Sequence, residues 1–88
     1  MDSNAIIARG RQAKAILESD VLAEAFASAK QRYITAWERT NPQQVDERES
    51  MYYALQALEM VRHELQVFSD DADKAVYDQQ QRDKRAVK

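Results

Sequence analysis

One proline in 88 residues divides this chain. It stands in Thr40-Asn41-Pro42-Gln43-Gln44, between two stretches whose apolar residues recur at steps of three and four. Asn41 suits an N-cap, because its side-chain oxygen accepts a bond from a free backbone N–H of the next turn. Pro42 suits the first helical position, where its missing N–H costs nothing. Gln44 is placed to reach back and complete a capping box. One helix is predicted to end here and another to begin, so Asp20 to Phe68 reads as an antiparallel helical hairpin.

Ahead of the hinge, Leu22, Phe26, Ala29, Tyr33, Ala36 and Thr40 form one stripe, widened by Ile34 and Trp37. Their heptad-like spacing is that of a helix, expected over 21–40, lying along another at a shallow angle. Ala23, Ala25, Ala27 and Ala29 are small enough for a neighbouring backbone to approach. Behind the hinge, Met51, Leu55, Leu58, Val61, Leu65 and Phe68 make the stripe of a helix expected over 42–68. Tyr52, Tyr53, Ala57, Met60 and Val67 extend it to a second face.

At 1.5 Å per residue the second of these helices spans roughly 39 Å and the first roughly 30 Å. The shorter arm cannot cover the longer one. Either the N-terminal helix folds back over it or a second copy does. The residues expected to pack helices and mediate a homo-oligomer are Phe26, Tyr33, Trp37, Met51, Leu55, Leu58, Val61, Leu65 and Phe68, with Tyr53, Met60 and Val67 on the second face.

The N-terminal helix is expected over 4–18, capped by Ser3 or Asn4, with Ile6, Gly10, Ala13 and Leu17 on one face. Gly10 in mid-helix costs about 1 kcal/mol relative to Ala. It marks either a slightly frayed helix or a functional feature, a close helix contact or a hinge. Ser19-Asp20 breaks the pattern and offers a second N-cap. At the other end Ser69-Asp70-Asp71 closes the regular pattern, and 72–88 reads as a polar tail or a short, frayed helix with few apolar residues. The expected fold is thus all-α: a three-helix unit over 1–71 followed by a weak C-terminal segment.

Composition narrows the function classes. With a single Gly and no Cys, the chain has no nucleotide-binding glycine loop, disulfide framework or thiolate metal site. No run is long enough to span a membrane, and no signal-peptide core is visible. His63 is the only histidine, on the polar side of its helix beside Glu64 and one turn after Glu59. A di-metal bundle would need carboxylates facing inward, where Met60 stands. No catalytic set, metal or cofactor is expected. Two basic clusters, Arg9, Arg11 and Lys14 near one end and Arg82, Lys84 and Arg85 near the other, would make phosphate contacts if the ends of the chain met in space.

Four segments carry a resemblance: Asp20-Val21-Leu22-Ala23-Glu24-Ala25-Phe26, Tyr33-Ile34-Thr35-Ala36-Trp37, Arg48-Glu49-Ser50-Met51-Tyr52-Tyr53-Ala54-Leu55 and Val61-Arg62-His63-Glu64-Leu65. Together they resemble small helical proteins of tailed-phage and prophage genomes, met among virion-assembly genes. The likeness covers about Asp20 to Asp71. It departs where relatives carry a Gly-Lys-Leu-Ala type ending and this chain has Asp71-Ala72-Asp73-Lys74-Ala75. What it implies is a non-enzymatic phage protein of the host cytoplasm or virion, acting through helix–helix contacts in virion assembly or as a minor virion component. Its partners would be further copies or other phage structural proteins. The alternatives are a phage-encoded inhibitor of a host protein and a DNA-packaging accessory factor.

Overall fold

The computed structural model describes residues 2–86. Among these it contains three α-helices and no strand: α1 (Ser3–Leu17), α2 (Asp20–Glu38) and α3 (Val45–Ala86). The last two residues of the tail expected over 72–88 lie outside the described residues.

The cap of α1 is Asp2, one residue earlier than the Ser3 or Asn4 expected. Its carboxylate accepts a bond from the Ala5 N–H at 2.8 Å. A carboxylate at this position also faces the positive end of the helix dipole, which a Ser hydroxyl does not exploit. Beyond Leu17, Glu18 ends α1 and Ser19 takes an extended conformation. The Ser19 hydroxyl accepts from the Leu22 N–H at 3.3 Å and starts α2, where the sequence placed its second cap.

This short break has a geometric purpose. Continuing the face of Ile6, Gly10, Ala13 and Leu17 at the same spacing would bring Asp20, Glu24 and Gln31 inward. Restarting the helix at Ser19 turns Leu22 and Phe26 inward instead, and both are half-buried.

The hinge differs from expectation. Asn41 does not cap a helix and Pro42 is not its first residue, because α3 begins at Val45. Asn41 to Gln44 close a tight turn, with the Gln44 N–H donating to the Asn41 carbonyl at 3.0 Å. The Asn41 side-chain oxygen accepts from Gln43 two residues on, at 3.0 Å. Such an Asx turn competes with an N-cap for the same side chain, and Pro42 fits the second turn position through its fixed φ. Gln44 does reach back as expected, its side-chain oxygen accepting from the Asn41 N–H at 2.9 Å.

The larger correction concerns the C-terminal third. The third helix does not stop at Phe68, and 72–86 is neither a tail nor a short frayed helix. α3 is one helix of 42 residues. Ser69 and Ala72 are its buried residues. They continue the spacing of the half-buried Met51, Leu55, Leu58 and Leu65, in which the position of Arg62 is exposed, and are followed by the half-buried Val76 and Gln79. The segment looked weak because its inward positions are small or polar rather than large and apolar. Asp70, Asp71 and Asp73 are exposed, so their charges do not break the helix. Asp70 accepts a bond from the Gln66 side chain one turn earlier, at 3.0 Å.

α1 packs along the C-terminal part of α3 and α2 along its N-terminal part. Trp37, Lys30 and Gly10 meet Arg48, Glu59 and Ala72, in reverse order along the two stretches. The molecule measures 69 × 24 × 16 Å. Its closely packed centre lies between α1 and α3, where Ile7, Gly10, Ala13, Ser69 and Ala72 are buried. A Cβ on Gly10 would overlap the Ala72 side chain and stand 2.5 Å from the Phe68 carbonyl oxygen. Of the readings of Gly10, frayed helix, close contact or hinge, the close helix contact is therefore the one observed. α2 has no buried residue at all.

Candidate helix-docking face

The layer formed by α2 and α3 has two unlike sides. On one, Lys30 Nζ lies 3.6 Å from Glu59 Oε1. The Arg48 guanidinium stands 4.2 Å over the Trp37 ring, a cation–π arrangement. An open groove of about 260 Å³, lined among others by Leu17, Leu22, Phe26, Leu55, Leu58 and Arg62, runs between the helices there.

The other side mixes small, apolar and charged residues. Successive residues of a helix turn by about 100°. Measured from the Lys30–Glu59 pair, this places Ala25, Ser28, Arg32, Ala36 and Arg39 of α2 on the far side of the layer. On α3 it places Ala54, Ala57 and Val61 there, with Tyr53 and Met60 toward its rim. Tyr53, Met60 and Val61 are 65%, 68% and 56% exposed. No ion pair bridges the helices on this side among the described residues.

The residues expected to pack helices divide between these environments. Phe26, Met51, Leu55, Leu58, Leu65, Val67 and Phe68 are half-buried. Tyr33, Trp37, Tyr53, Met60 and Val61 are exposed. Val61, read as part of the inner stripe, is exposed, and Arg62 beside it is exposed at the edge of the groove. Sequence reasoning missed Ser69 and Ala72. The unbroken three-and-four spacing from Met51 to Gln79 would have shown them, had small and polar residues been allowed to occupy it.

The two basic clusters are placed as follows. Arg9 lies with its guanidinium 4.0 Å over the Phe68 ring, and its Nε is buried without an acceptor. Arg11 and Lys14 are exposed on α1, and Arg82, Lys84 and Arg85 on α3. Arg82 and Arg85 lie near Ser3 and Ile6 at the end of α1, in a surface depression they share with Asp71 and Asp78. His63 is exposed. No group of three His, Asp or Glu side chains converges as metal ligands would among the described residues. No helix among them is long and apolar enough to cross a membrane. Neither a protein-family model, nor a curated protein, nor a solved structure matches the chain.

Proposed function

We propose that the chain is a non-enzymatic protein that works through helix–helix contacts made by the hairpin of α2 and α3. Its setting is the assembly of a phage particle, as an assembly factor or a minor component. The observation that carries the docking role is that α2 has no fully buried residue while Tyr53, Met60 and Val61 of α3 stand exposed. A helix with no fully buried residue in its own molecule, as α2 is, gains further packing energy when another surface covers it. The phage setting rests on the likeness of the four segments between Asp20 and Leu65.

The test uses particles and precursor particles purified from the phage carrying the gene. The chain should be found by mass spectrometry in one or both. Val61→Glu, an exposed position, should keep the circular dichroism of the parent and still lower particle yield. A chain absent from both fractions, with yield untouched by Val61→Glu, would sink this reading.

A further inference from the structure

We draw no further inference here: the strongest candidate, the open groove between α2 and α3 lined by Leu22, Phe26, Leu55 and Leu58, carries nothing, because nothing in the structure shows what covers it.

Discussion

Gly10 is the residue on which the closest contact depends. Its missing Cβ is what lets α1 settle onto Ala72 and the Phe68 backbone. Gly10→Ala gains about 1 kcal/mol of helix propensity, but overpacking a fixed backbone contact costs about 1–3 kcal/mol. The net change should be destabilising and should lower the midpoint of thermal unfolding by several degrees. An unchanged or raised midpoint would show that α1 and α3 separate easily. Ser19→Ala removes the hydroxyl that accepts from Leu22, and should cost about 1 kcal/mol in urea unfolding. At this scale the sequence was partly legible. Ser19 declared itself as a cap, because a hydroxyl after a completed apolar stripe has few other uses. Asn41 did not, because the same side chain serves a cap or an Asx turn, and only the backbone around Pro42 decides between them.

The elements were legible in kind and less so in extent. Large apolar residues at three-and-four spacing announce α2 and the first half of α3, since burial of such side chains is what their spacing reflects. The second half of α3 is held by Ser69 and Ala72 against Gly10 and Ala13, and small residues leave almost no hydropathy signal. Their partners lie at the far end of the chain, beyond the reach of any local window. A chain ending at Asp71 tests this. It should lose more helicity than its missing residues account for, because α1 then loses Ala72 and the half-buried Val76. A loss confined to the deleted residues, read by circular dichroism, would mean that α1 is helical without its partner. Of the second face read on α3, Tyr53 and Met60 are exposed and Val67 is half-buried.

As a whole, the molecule is a rod 69 Å long, packed closely toward one end and loosely toward the other. Amide exchange in dilute solution should follow this gradient, slowest around Gly10 and Ala72 and fastest in α2. Uniform protection along the rod would contradict it. The gradient also bears on the order in which the chain folds. The turn at Asn41 brings together residues that are near neighbours in sequence, yet that end buries little. The one buried cluster joins Gly10 to Ala72, about sixty residues apart, and the entropic cost of closing such a loop comes before any contact offsets it. The rate-limiting event should therefore be the arrival of α1 on α3, slower than is usual for so small a helical protein. In a growing polypeptide α1 would wait for the far end of α3 before it had anything to rest on.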